Sequence, residues 1–285
     1  MIYAPRLPRL GVFDVWRDAA RALASNDVAA DSVNWAMEEA CDTLFGQGAA
    51  LPAARAMTVP KEFIPLAKLV CASRATGAHD LLYRVLLRCR NTPHLLNNRA
   101  DPQVQQLTAL AKHVRRDMHK MKAFVRFREV TPQGSNRRQF LSWFEPDHRI
   151  EELIAGFFVR RFADMDWVIV TPEVTTRFDC GTLSHEALAS DRMALSDDTE
   201  DLWRTYYANT FNPARLKIKA MQSEMPKKYW KNLPEADLIP DMIAQAEARV
   251  LQMQQTAPTV PPLRAARILG RLPARPEQAR GQKPD

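Results

Sequence analysis

The chain has 285 residues, of which 46% are hydrophobic, and a formal net charge of +7 from 40 Lys+Arg against 33 Asp+Glu. These fractions belong to a folded protein with a real core and exclude collagen, coiled coil and wholesale disorder. With 9 Gly against 20 Pro, a fold built on glycine-rich phosphate loops is also excluded, and no run approaches the roughly 18 apolar residues of a membrane span.

Residues 1–100 read as a helical N-terminal region. Phe13, Trp16, Ala20 and Leu23 recur at helical spacing, as do Val33, Met37, Cys41 and Leu44, and then Leu81, Leu82, Val85, Leu86 and Cys89. Asp101-Pro102 predicts an N-cap followed by proline at the first helical position. In the helix that follows, Leu107, Leu110, Ala111, Val114, Met118 and Met121 form one face. At about 100° per residue, Lys112, Arg115, Arg116 and His119 fall on the other side.

The period then changes to two. Ala123–Val130 predicts a strand with Val125 and Phe127 on one face and Arg126 and Arg128 on the other, and QFLSWF predicts its hairpin partner. Residues 149–164 return to helix, and WVIVTP and TRFDCGTL read as two further strands. The expected fold class is α+β: a small antiparallel sheet in the order strand-strand-helix-strand-strand, with helices on one face. From about residue 197 the chain reads as helical again, with Asp197 and Glu200 as a capping box and prolines at 213, 226, 234 and 240 restarting short helices. The expected organisation is thus a helical region 1–100, an α+β core with C-terminal helices 101–255, and a disordered Pro/Arg-rich tail or linker 256–285.

The charge is unevenly placed. Residues 110–140 carry 9 basic and 2 acidic side chains, residues 141–202 carry 5 and 14, and residues 203–232 carry 7 and 1. Two basic blocks therefore flank an acidic one. Phe124 and Phe127 lie in the first basic block, and Trp203, Tyr206, Tyr207, Phe211, Tyr229 and Trp230 in the second. Cations for phosphates interleaved with flat rings for bases are the ingredients of single-strand or flipped-base binding. The nucleic-acid-binding candidates are Arg115, Arg116, Lys120, Arg126 and Arg128 in the first block. In the second they are Asn212, Arg215, Lys217, Lys227, Lys228, Tyr229 and Trp230. The competing reading is a set of core aromatics with solvated or internally paired charges.

No Walker loop, GxGxxG, HExxH, GxSxG or CxxxCxxC signature occurs. Two acid–imidazole pairs are catalytic candidates, Asp117 with His119 and Glu145 with His148. His113 and His119, six apart on one helix, point to opposite sides and make no helical metal pair. Cys41, Cys71, Cys89 and Cys180 are isolated in sequence and sit among apolar neighbours, so they read as reduced buried thiols. No metal site and no cofactor are expected. The N-terminus lacks the apolar core of a signal peptide, which predicts a cytoplasmic protein without membrane association; the sequence leaves oligomeric state open.

The stretches VRRDMHKMKAFVRFRE, WFEPDH, FFVRRFADMDWVIVTPE, LWRTYYANTFNPARLKIKAM and EMPKKYWKNLPEADLIP resemble an uncharacterised bacterial domain family of DNA-metabolism proteins. GVFDVWRDAARALA and LLYRVLLRCR are similar to the leader of its fused form. In that family the domain occurs alone, beside a repair-linked radical SAM protein, or fused ahead of a uracil-DNA glycosylase domain. The resemblance implies a role in DNA repair by association with those partners. No glycine-rich glycosylase loop or four-cysteine cluster follows in this sequence, so glycosylase activity is not expected of it. The leading expectation is a DNA-binding accessory of base repair. The alternatives are an enzyme acting on DNA or a modified base through the acid–imidazole pairs, and a protein adaptor without DNA affinity.

Overall fold

The computed structural model describes residues 1–38, 48–131, 137–187 and 225–233, together with Ala236, Leu238 and Asp241. The predicted capping box at Asp197, the helix of Trp203, Tyr206 and Tyr207, the candidates Asn212, Arg215 and Lys217, and the 256–285 tail lie outside the described residues.

Three helices, α1 (Val12–Ala24), α2 (Phe63–Cys71) and α3 (Ala78–Asn91), surround a first apolar core. Trp16, Leu23, Phe63, Leu82, Tyr83 and Leu86 are its largest buried members. Gly11, at φ 70°, opens α1 in the left-handed region, where a side chain would be strained. A short parallel pair, β1 (Arg6–Leu7) with β2 (Ala36–Met37), closes one side. This corrects the expected helix through Val33 and Met37. Val33 instead bridges Tyr3, and Trp35 packs against Trp16 and Tyr83 with ring centroids 5.8 and 5.7 Å apart.

Helix α4 (Pro102–Phe124) joins two cores. It begins as the sequence predicts: the Asp101 carboxylate accepts from the Gln103 and Val104 N–H groups at 3.0 and 3.2 Å, and Pro102 occupies the first turn. Val104, Leu107 and Ala111 enter the first core, and Val114 and Met121 enter the second. Each leucine-sized side chain buried in this way contributes about 2 kcal/mol.

The second core lies between α4, α5 (Glu151–Arg161) and a five-stranded sheet. The strands are β3 (Arg128–Glu129), β4 (Gln139–Trp143), β5 (Asp166–Val170), β6 (Thr175–Asp179) and β7 (Thr182–Glu186), hydrogen-bonded in that order. The α+β class holds, but the sheet is mixed rather than antiparallel. β4 and β5 run parallel because α5 carries the chain back across the sheet before β5 begins. TRFDCGTL is two strands, folded at Cys180 (φ 46°) and Gly181 (φ 82°). That turn exposes Cys180, against the expectation of a buried thiol, whereas Cys71 and Cys89 are buried. The predicted strand Ala123–Val130 is corrected too: α4 continues to Phe124 and only Arg128–Glu129 pair with β4.

One sheet face is the core face. Ser142, Trp167, Ile169, Thr176 and Phe178 are buried there, with Trp167 meeting Phe158 of α5 at 6.0 Å and Phe178 at 5.6 Å. Among the described residues no helix is long and apolar enough to cross a membrane.

Candidate nucleic-acid interface

The 3.6-residue period of α4 sorts its polar side chains sharply. Lys112, His113, Arg115, Arg116, His119 and Lys122 are exposed, while Asp117 and Lys120 are each only 4% exposed. Asp117 is the one carboxylate between Pro102 and Phe124, so the outer face of this half of the helix carries basic groups and no acid. From Lys112 to Lys122 the stripe runs about 15 Å along the axis. Lys122 rests over the Phe157 ring at 4.9 Å, which holds its stem down while its head stays exposed.

The same sorting separates the first acid–imidazole pair. Asp117 points inward and His119 outward, as two positions about 200° apart on a helix must. Asp117 meets a different histidine through the backbone. The His148 N–H donates to its Oδ2 at 2.8 Å, the Asp147 N–H also donates, and the Tyr229 hydroxyl donates to Oδ1 at 3.3 Å. Burial pushes the Asp117 carboxyl up to about 6, against the opposing pull of those N–H donors. The carboxylate thereby fixes the Glu145–His148 turn to α4.

In the second acid–imidazole pair, each side chain has a partner of its own. Glu145 accepts from the Trp143 indole N–H at 3.0 Å, and His148 Nδ1 accepts from the Arg74 backbone N–H at 3.4 Å. Burial lowers the His148 pKa, opposed by Asp147 and reinforced by His113, Arg74 and Lys228. One imidazole thus lies within electrostatic reach of His113 on α4 and of Lys228 in the second basic block.

That block reaches the site through a 3-10 turn, Lys227–Asn232, which starts directly after Pro226. Tyr229 is 2% exposed and sandwiched, its ring 5.3 Å from Phe124 and 5.1 Å from Phe144. It is a core residue, so it cannot offer its ring to a base. Lys228 pairs with Asp147 and lies over Tyr229 at 4.6 Å; Lys227 is exposed, 6.0 Å from the Trp230 ring. The Trp230 indole N–H donates to the Met225 carbonyl at 3.0 Å.

Among the described residues, the other cationic candidates are turned to other uses. Lys120 is buried with its ammonium 5.7 Å over Phe124. Arg126 donates from Nη1 to the Ala123 and Val125 carbonyls at 2.8 and 3.3 Å, satisfying orphan oxygens at the end of α4. Arg128 sits half-buried in β3 opposite Leu141. Of the candidates in the first block, Arg115 and Arg116 stand exposed on α4. The helical wheel also places Lys112, His113 and Lys122 beside them, and these three were missed as site residues although their spacing was legible.

Two other features bear on chemistry. Asp166, Asp179 and Cys180 bring ligand atoms within 4.8 Å of one another at one end of the sheet. Asp166 there is already engaged by the Arg137 guanidinium at 2.9 Å and by the Cys180 N–H at 3.0 Å, so the group reads as an ion-paired strand end. On the sheet face away from α5, an open groove of about 360 Å³ runs over Leu141, Val168 and Val170.

An α4 that bridges two cores and exposes basic side chains along one face belongs to an α+β protein. The chain belongs to the DUF4130 family, a domain of unknown function, whose model matches residues 76–235. No curated protein and no solved structure matches it. The match begins just ahead of α3 and takes in α4 and the whole five-stranded sheet.

Proposed function

We propose that the chain is a cytoplasmic DNA-binding accessory protein of DNA repair and base metabolism, acting with a uracil-DNA glycosylase or a radical SAM enzyme as partner. The single observation that supports DNA contact most directly is the exposed stripe of α4, where Lys112, Arg115 and Lys122 stand with two imidazoles and the helix itself adds no carboxylate to that face. Phosphate neutralisation by such a stripe supplies affinity without any base contact and makes it strongly salt-dependent. The repair setting and the two partner classes rest on the resemblance of the sequence motifs alone.

The enzyme reading has less support. Asp117 has its oxygens occupied by backbone donors and Tyr229, and His119 faces away from it. These are the marks of a carboxylate that organises a turn.

Fluorescence anisotropy with a labelled DNA duplex at about 50 mM salt tests the proposal. The wild-type protein is expected to bind, and the variant Lys112→Ala/Arg115→Ala/Lys122→Ala to bind at least tenfold more weakly with its thermal unfolding unchanged. Absence of binding by the wild type contradicts DNA contact and favours the adaptor reading, especially if a partner protein still co-purifies.

A further inference from the structure

Resting on the DNA-binding reading above, we infer that the α4 face takes the phosphate backbone of duplex DNA in preference to a single strand. The sequence pairs cations with aromatic residues in both basic blocks, a mixture that favours single strands because bases stack on exposed rings. Among the described residues folding separates that mixture; Trp203, Tyr206, Tyr207 and Phe211 lie outside them. Every aromatic side chain among the described residues is buried or half-buried, and the large apolar side chains that are exposed are Met1, Ile2, Val15, Leu51, Val130 and Leu183.

Around α4 the described residues show that separation. Phe124, Phe144 and Tyr229 stack on one another inside, while Phe157 lies beneath the Lys122 ammonium. Trp230 is half-buried with its indole N–H spent on the Met225 carbonyl. Among the described residues, the face of α4 offers charge on a rigid rod and no ring on which a base could lie.

Without stacking, affinity follows the charge density of the ligand. A duplex carries one phosphate per ~1.7 Å of axis and releases more counterions per contact than a single strand does. Stacking on an exposed ring would add about 1–3 kcal/mol per base to single-strand binding, and the described face provides none of that gain.

The test uses the full chain and three ligands: a 20-base-pair duplex and its two separated strands, each chosen to lack self-structure. The expected result is duplex binding at least tenfold tighter than either strand at the same ionic strength. Single-strand binding that equals or exceeds duplex binding overturns the inference while leaving DNA contact intact. Binding of none of the three at low salt overturns the DNA-binding reading itself. The variant Lys112→Ala/Arg115→Ala is expected to lower duplex affinity by at least tenfold; an unchanged duplex affinity would place the duplex elsewhere and so overturn the assignment to α4.

Discussion

Asp117 holds its proton to about pH 6, where an ordinary aspartate releases it near 3.8. The native state therefore binds this proton more tightly than the unfolded chain. Its stabilising contribution is full below the unfolded value and is lost as pH rises through about 6. Between pH 7 and pH 5 the difference is about 1 kcal/mol in favour of folding. Urea unfolding of wild type and Asp117→Asn at the two pH values checks this: the variant should lack that increment, and an equal pH dependence in both proteins would contradict it. Tyr229→Phe removes the hydroxyl that donates to Asp117 and should cost about 1 kcal/mol without moving the aromatic stack. Asp101 behaves in the opposite sense. The Arg88 guanidinium beside it holds its carboxyl down to about 2, so its contribution is present above the ordinary range and fades as pH falls towards 2. Asp101→Ala should lower the melting temperature by several degrees, read by circular dichroism, through loss of the α4 cap.

α4 is the element on which both cores depend. Leu107, fully buried against α2 and α3, should cost about 2–5 kcal/mol when replaced by alanine, measured by denaturant unfolding. This helix was also the most legible part of the sequence, because local information fixes it: a 3.6-residue apolar period, an Asp-Pro start and a one-sided charge pattern. The elements misread are those decided by distant partners. Val33, Met37 and Cys41 have helical spacing, yet Ala36–Met37 pairs in parallel with Arg6–Leu7 some thirty residues earlier. Alternation over Ala123–Val130 predicted a strand, but Phe124 is claimed by Tyr229, more than a hundred residues away, and the helix continues to reach it. The parallel pairing of β4 with β5 is invisible to alternation, which reports faces and not directions. The site was legible to the same degree. Arg115 and Arg116 were placed by periodicity, whereas the inward turn of Lys120 and Tyr229 depends on packing that no single segment encodes.

Across the molecule, a net charge of +7 is a weak indication of any partner. Its distribution is more informative, because described acids of the middle segment hold basic side chains internally. Glu173 pairs with Arg74 and Asp166 with Arg137. Lys228 pairs with Asp147 next to the buried Asp117, so the described part of the second basic block is tied to the first at the level of α4. Lys112, Arg115 and Lys122 stay exposed on α4. The family match starting at residue 76 leaves α1 and α2 outside it, although their buried side chains complete the core that α3 and the first half of α4 require. A fragment limited to 76–235 is therefore expected to aggregate where the full chain stays soluble, as size-exclusion chromatography would report.

The salt dependence of duplex binding is the sharpest check on contact through α4. Log K is expected to fall linearly with log salt concentration, with a slope reduced by about 0.9 for each of Lys112→Ala, Arg115→Ala and Lys122→Ala. Slopes that stay at the wild-type value in all three variants, with binding retained, would contradict it.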